Sequence, residues 1–456
     1  MASPSHPVIK GWIEKMERES NTTKEISTYY TADIHKLITT SEPQKFSVGT
    51  GAQILSSVLP KCVSANHELI LVTCFWADSS SRKMVGTLLE KLSSKGLAQG
   101  QKIHFRLCFS SHSKMQKLFG TSSPDGQIYP PDMWMKLGLP SPALLMGLDL
   151  IVKCIFVRPF SVVHPKFILV DRKLAFMPSC NVSWEDWFEG CIELRGGICK
   201  ALFYFWVAFW SKNTDLPHLL QEDNEDQAAN PGPKDGEEVN NLIQHISVSQ
   251  SAPITTILLP SPHHRNPNFR PFGKIPIVPH TPLNKFLIHI FETARQEIFI
   301  QTPNLTARAV IRALLSALKR GVNIRIRTSS KLMIQEQLVT AGTITEFEVC
   351  KLRRRHSKLR CIQQKKSTSD PESQGPELGT LDIAYYRPKG KGGNEPVKAH
   401  MKLTIVDEEI VVLGSGNMDR ASWYTSQELG AAFFSKEMAK SIRSCVEEGL
   451  DGRLKF

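Results

Sequence analysis

Two segments of the chain carry the same five polar residue types at the same spacing. Residues 164–181 read HPKFILVDRKLAFMPSCN and residues 400–417 read HMKLTIVDEEIVVLGSGN, and the two align without a gap. Chance would almost never produce a second H-x-K-x4-D pattern followed by S-x-N at the same distance. The two segments are therefore expected to act as a pair. The matching residues are His164, Lys166, Asp171, Ser179 and Asn181 in the first segment and His400, Lys402, Asp407, Ser415 and Asn417 in the second.

The spacing predicts a β-hairpin in each segment. Side chains alternate between the two faces of a strand, so a histidine and a lysine two residues apart point the same way. If the chain reverses at Arg172 and at Glu408, the serine and asparagine return beside the histidine, and each aspartate lies at the turn. An imidazole, an ammonium, a hydroxyl and an amide then gather at the end of each hairpin, and this set of donors suits a phosphoryl group.

The surrounding sequence predicts that an α/β architecture positions the hairpins. In the first half, the apolar run 67–78 is followed by a helical pattern and then by the strand-like KIHFRLCF, and the second half repeats this order from residue 294. An acidic, Pro- and Gly-containing stretch separates the halves. We therefore expect an N-terminal helical arm or cap on the first domain at 1–47, a first repeat at 48–212, an acidic linker at 213–252, and a second repeat at 253–456 with a basic insertion at 351–395.

The paired motifs resemble those of the phospholipase D superfamily, over roughly residues 48 to 450. That resemblance implies two α/β/α sandwich repeats with pseudo-twofold symmetry and a single active site between them, with no metal and no cofactor. It also implies a covalent phosphohistidine, with His164 as the nucleophile and His400 as the acid, although the sequence itself does not distinguish the two histidines. Family members use a downstream acid to hold each motif histidine, and Glu193 and Glu428 lie at near-equal offsets of 29 and 28 residues.

The resemblance implies a phosphodiesterase or transphosphatidylase acting on phospholipids. A superfamily nuclease and a non-catalytic phosphate-binding scaffold remain alternatives, and nucleic acid is the less favoured partner. The presence of both motif aspartates argues against the tyrosyl-DNA phosphodiesterase branch. One departure concerns Pro178, which stands where the second segment has Gly414, so the backbone near Ser179 is expected to be stiffer.

Other features bear on the surroundings of the site. The aromatic segment 201–210 is expected to be a core helix rather than an interfacial one, and the basic run 351–366 is either a dock for anionic lipid or a solvated mobile loop. His263 and His264 are expected in a loop. The ten cysteines are scattered without a CxxC pair, which favours buried free thiols. With no signal peptide or membrane span recognised, we expect an intracellular monomer, cytoplasmic or peripherally attached to an anionic membrane.

Overall fold

The computed structural model describes residues 6–20, 33–113, 116, 123–157, 162–212, 242–263, 277–369, 376–390 and 395–456. The strands are β1 (Ile38–Gly49), β2 (Glu68–Phe75), β3 (Ile103–Ser111), β4 (Ser123–Tyr129), β5 (Leu148–Phe156), β6 (Phe167–Val170), β7 (Leu174–Pro178), β8 (Trp187–Arg195), β9 (Gln244–Ser247), β10 (Ile254–Ser261), β11 (Glu297–Thr302), β12 (Asn323–Thr328), β13 (Leu381–Tyr386), β14 (Lys398–Ala399), β15 (Leu403–Val406), β16 (Ile410–Gly414), β17 (Glu428–Phe434) and β18 (Leu454–Lys455). The helices are α1 (Pro7–Ser20), α2 (Gly51–Cys62), α3 (Ser80–Gln99), α4 (Pro131–Trp134), α5 (Gly197–Trp210), α6 (Pro282–Thr293), α7 (Arg308–Lys319), α8 (Ile334–Ala341), α9 (Thr345–Ser369), α10 (Arg420–Tyr424) and α11 (Lys436–Leu450), with short 3₁₀ helices at Ile34–Leu37, Met135–Leu137 and Pro142–Leu145.

The two halves have the same strand order. In the first half the sheet runs β5-β3-β2-β6-β7-β8-β1, with β2, β3 and β5 parallel and the later strands antiparallel. In the second half the corresponding order is β13-β12-β11-β15-β16-β17-β10, with β11, β12 and β13 parallel. Strands β1 and β10 pair with each other, so the two sheets are joined edge to edge across the pseudo-twofold axis.

The elements that the sequence predicted in each half are confirmed. Strand β2 is buried along almost its whole length because helices cover the parallel part of the sheet on both faces. Helix α7 turns Val310, Ile311, Leu314 and Leu318 toward the core, as its spacing requires. The aromatic segment forms α5, a core helix that packs on β1 and β10, with Trp206 and Trp210 buried. Among the described residues, no helix has the length and hydrophobicity that a bilayer crossing requires.

Several expectations about the segments between these elements differ from the structure. Strand β1 begins at Ile38, inside the predicted arm, and α1 packs against α6 of the second half rather than capping the first domain. Its apolar face, which includes Trp12, supplies the buried surface that holds it there. Residues 213–241 of the predicted linker lie outside the described residues, while β9 near its end pairs with β1.

The basic run 351–366 lies in helix α9 rather than in a mobile loop. Most of the predicted insertion lies in α9 and β13, because Val349 and Leu352 give the helix a buried stripe that packs on β13 and α7. The expectation of buried thiols holds for eight of the ten cysteines and is wrong for Cys350 and Cys361, which are exposed on α9. His263 lies after β10 as expected of a loop residue, and His264 lies outside the described residues.

Candidate active site

Each motif histidine lies just before the first strand of its hairpin. The observed registers pair Val170 with Leu174 and Val406 with Ile410, so the chain reverses about Arg172 and Glu408, as the spacing predicted. The backbone amide of His164 donates to the carbonyl of Gln427 (2.9 Å), and that of His400 donates to the carbonyl of Phe188 (2.9 Å). Each histidine is therefore anchored on the opposite half of the molecule.

The carboxylates that contact the two imidazoles are also exchanged between the halves. Nδ1 of His164 lies 2.9 Å from Oε2 of Glu428, and Nδ1 of His400 lies 2.7 Å from Oε1 of Glu189. Because an ionised carboxylate can only accept, each Nδ1 carries the proton, which leaves Nε2 with the lone pair. The predicted placement of an acid on the histidine of its own repeat is therefore wrong.

The prediction for Glu193 is also wrong. Its carboxylate instead accepts from Nζ of Lys61 on α2 at 2.7 Å, and Glu189, four residues earlier, takes the place that we expected Glu193 to fill. Counting equal offsets failed because α10 lengthens the connection before Glu428 and has no equivalent before Glu189. Pairing each motif serine with the strand that follows its hairpin would have identified Glu189. In both halves the backbone amide of the residue after the glutamate, Gly190 or Leu429, donates to the motif serine.

The motif serines bind these glutamates, although the sequence analysis assigned them to the substrate. The hydroxyl of Ser415 donates to Oε2 of Glu428 (2.5 Å), and that of Ser179 donates to Oε2 of Glu189. Both serines are buried. Each half thus contributes a serine and glutamate pair that holds the other half's histidine, which limits the rotation of both the carboxylate and the ring.

The motif aspartates lie at the opposite end of the hairpins from the histidines. Asp171 and Asp407 have positive φ angles of 45° and 53° in the two turns. The carboxylate of Asp171 accepts three backbone amides at the start of β2, and that of Asp407 does the same at the start of β11, at 2.8–3.2 Å. Both residues therefore tie a turn to the neighbouring strand, and the predicted catalytic assignment does not fit their position.

The two lysines contact the histidines differently. Nζ of Lys402 lies 2.8 Å from Nε2 of His400, 2.9 Å from its Nδ1 and 2.6 Å from its carbonyl oxygen. Nζ of Lys166 donates to the carbonyl of His164 at 3.0 Å. The ring of Trp187 also covers His400, with centroids 4.4 Å apart.

Charges from both halves act on one another across the site. Burial lowers the pKa of His400 to about 3, with Lys402 adding to the effect and Glu189 opposing it. Burial also lowers the pKa of His164 and that of Lys402, the latter to about 7. Burial would raise the pKa of Glu189, but His400 and Lys402 outweigh it and hold that pKa at about 2. The free site therefore combines neutral imidazoles with ionised carboxylates.

The asparagines bring amide groups to the same place. Nδ2 of Asn417 donates to Oδ2 of Asp419 at 2.9 Å, a partner that the sequence analysis missed. Among the described residues, the Oδ1 atoms of Asn181 and Asn417 are buried without a hydrogen-bond partner. Buried polar atoms are seldom left unpaired, so each of these two oxygens can accept a hydrogen bond from a ligand bound at the site. Within the part of the chain that the structure describes, no cluster of three or more histidine, cysteine, aspartate and glutamate side chains is arranged to hold a metal ion.

The strand order and the paired hairpins define a phospholipase D-like fold. Phosphatidylserine synthase from Haemophilus influenzae Rd KW20 superposes with a TM-score of 0.53 at 11% identity, over 97% of this chain and 91% of that one. The phospholipase D family member Nuc from Salmonella typhimurium matches 37% of this chain and 86% of its own, with 17% identity and a TM-score of 0.24.

The sequence comparison points to the same superfamily. Residues 287–448 match the family model described as cardiolipin synthase, phospholipase D-like domain, a range that contains the second motif. No curated protein matches the chain. The family match and the phosphatidylserine synthase superposition confirm the predicted resemblance to the phospholipase D superfamily.

Proposed function

We propose that this protein cleaves or transfers phospholipid-type phosphodiesters through a covalent phosphohistidine. The observation that carries the proposal is the pair of crossed contacts, His164 to Glu428 and His400 to Glu189. A pair of imidazoles, each held at Nδ1 by a carboxylate, suits two successive displacements at phosphorus. The resemblance to a superfamily of phosphodiesterases and phosphatidyl transferases supports the same reaction class.

In the proposed first step, Nε2 of His164 attacks phosphorus and the bond from phosphorus to the leaving alcohol breaks. The alcohol oxygen takes its proton from His400. In the second step, neutral His400 removes a proton from water or an acceptor alcohol, whose oxygen attacks phosphorus and breaks the phosphorus–nitrogen bond. Lys166, Lys402, Asn181 and Asn417 neutralise and orient the non-bridging oxygens.

Two features support His164 as the nucleophile. Its side chain is 12% exposed, whereas that of His400 is 3% exposed, so substrate reaches it more easily. In addition, the ammonium of Lys402 occupies Nε2 of His400. His400 must be protonated to act as the acid, and an anionic phosphodiester beside it favours the imidazolium and raises its pKa when substrate binds.

The test is turnover of mixed phospholipid micelles and of single-stranded DNA, each with and without EDTA. We expect released headgroup or transferred phosphatidyl group, unaffected by EDTA, and loss of turnover in His164→Gln. Cleavage of DNA without cleavage of lipid would replace this function by the nuclease alternative. Wild-type rates in both His164→Gln and His400→Gln would leave the scaffold alternative.

A further inference from the structure

Helices α8 and α9 expose an unusual mixture of side chains beside the active site. Leu338 and Val339 on α8 and Phe347 and Ile362 on α9 are all exposed, Phe347 by 59%. The backbone amide and hydroxyl of Thr345 both donate to Oε1 of Gln337 at 2.8 Å, which joins the first turn of α9 to α8. Leu338, Val339 and Phe347, called here the apolar patch, therefore lie exposed on two helices that are joined at this point.

The exposed surface of α9 also carries a run of basic residues. Residues 351–366 contain eight Lys or Arg and no acid. Within the described side chains, seven of these are exposed, while the opposite stripe packs on β13. The exposed basic residues are Lys351, Arg353, Arg354, Arg355, Lys358, Arg360 and Lys365. Two of them, Arg353 and Arg354, line a groove of about 370 Å³ together with Glu346, Ser357 and Tyr385.

This surface adjoins the active site through buried hydrogen bonds. Nε2 of Gln337 donates to Oδ1 of Asn304 at 3.1 Å, and Nδ2 of Asn304 lies 3.5 Å from Oδ2 of Asp419. The same carboxylate oxygen accepts from Asn417. The apolar patch thus begins within a few side chains of the group that would hold the substrate phosphate.

We infer that the exposed face of α8 and α9 docks on an anionic phospholipid bilayer and brings the active site to its substrate. This inference rests on the proposed function for the identity of the substrate, but the docking itself requires no turnover. The basic residues attract the anionic surface, and the apolar patch enters the boundary between headgroups and acyl chains.

The apolar residues favour a bilayer over nucleic acid as the partner. A nucleic-acid groove uses basic residues with several aromatic side chains on which bases stack, whereas Phe347 is the one aromatic among the four exposed apolar residues and Leu338, Val339 and Ile362 offer no such platform. Exposed aliphatic side chains next to a basic helix are instead typical of an interfacial surface.

The experiment measures cosedimentation of the full chain with vesicles of phosphatidylcholine containing 30% phosphatidylglycerol, in approximately 0.1 M salt. The apolar variant is Leu338→Ser/Val339→Ser/Phe347→Ser, and the charge variant is Lys351→Gln/Arg354→Gln/Lys358→Gln. We expect each to weaken binding by about tenfold or more, since three interfacial side chains or three charges are removed. Salt should weaken wild-type binding and affect the charge variant less.

Matched controls on the first half separate docking from a general loss of charge or apolar surface. Met135, Leu144 and Met146 are exposed apolar residues in the segment between α4 and β5, and Lys83, Lys91 and Lys102 are exposed lysines. Replacing either set with Ser or Gln, respectively, should leave vesicle binding within twofold of wild type. Equal losses in the control and test variants would overturn the inference, as would equally tight binding to vesicles of pure phosphatidylcholine.

Two further measurements distinguish failure of docking from failure of the proposed function. His164→Gln should bind vesicles as wild type does, and the apolar variant should keep its rate on a monomeric short-chain phosphodiester. Vesicle binding without any phosphodiester turnover would end the proposed function and leave docking intact. Tighter binding of single-stranded DNA than of anionic vesicles, abolished by the charge variant, would reassign the surface to nucleic acid.

Discussion

The two histidine sites contain the same motif residues but differ in what surrounds them. His400 lies under Trp187, with Lys402 at 2.8 Å from Nε2, whereas Lys166 contacts only the carbonyl of the more exposed His164. Asn417 is held by Asp419, and the equivalent position after Asn181 is Ser183. Identical motifs therefore do not make identical sites, and in the proposed mechanism these differences give the two histidines separate tasks.

The division of tasks between the histidines predicts the largest effect. His164→Gln should remove covalent catalysis altogether, with any substrate. His400→Gln should lose about 100- to 10,000-fold with an alkyl leaving group because it lacks the general acid, and should recover most of the first step with p-nitrophenol, which leaves without a proton. The p-nitrophenol burst and mass spectrometry of the phosphorylated peptide measure both effects. Recovery in His164→Gln instead would reverse the assignment.

The crossed carboxylates predict a contrast between two nearby glutamates on β8. Glu189→Gln should lower kcat by about 100-fold or more, because the amide no longer holds the Nδ1 proton of His400 in the reactive tautomer. Glu193→Gln is the matched control and should remain within a few-fold, since it contacts Lys61. A larger loss from Glu193→Gln would restore the arrangement predicted from equal offsets.

The contrast between Glu189 and Glu193 also shows where sequence reasoning succeeded. Local patterns within single stretches of sequence are enough to predict the α/β repeats, the hairpins about Arg172 and Glu408, and the pairing of the histidines. The exchange of carboxylates depends on how the joined sheets place β8 and β17 beside the other half's histidine, which no local spacing records. Helix α9 was not predicted because few apolar residues form its buried face and its exposed face is basic.

The buried ammonium of Lys402 predicts that activity falls at alkaline pH. Because the pKa of Lys402 is lowered to about 7, the side chain is charged below that pH and loses its charge as pH rises through it. The substrate phosphate binds less tightly once Lys402 has lost its charge, so kcat/KM should fall as pH rises through about 7. Lys402→Arg keeps its charge in this range and should lose this alkaline limb at a lower overall rate. A limb that persists in Lys402→Arg would assign it to another group.

The smallest expected effect concerns the asparagines. Asp419→Asn preserves the helix cap that the side chain gives to Ser422 at the start of α10, so the fold should be kept. It replaces a charge-assisted bond to Asn417 by a neutral one, a change of about 1 kcal/mol that corresponds to a kcat about five- to tenfold lower. Ser183→Ala, at the equivalent position beside Asn181, should change kcat by less than twofold. The two variants are compared by their kcat on a monomeric substrate, with thermal unfolding as a check that each is folded. Equal losses of kcat would show that Asp419 does not distinguish the second half from the first.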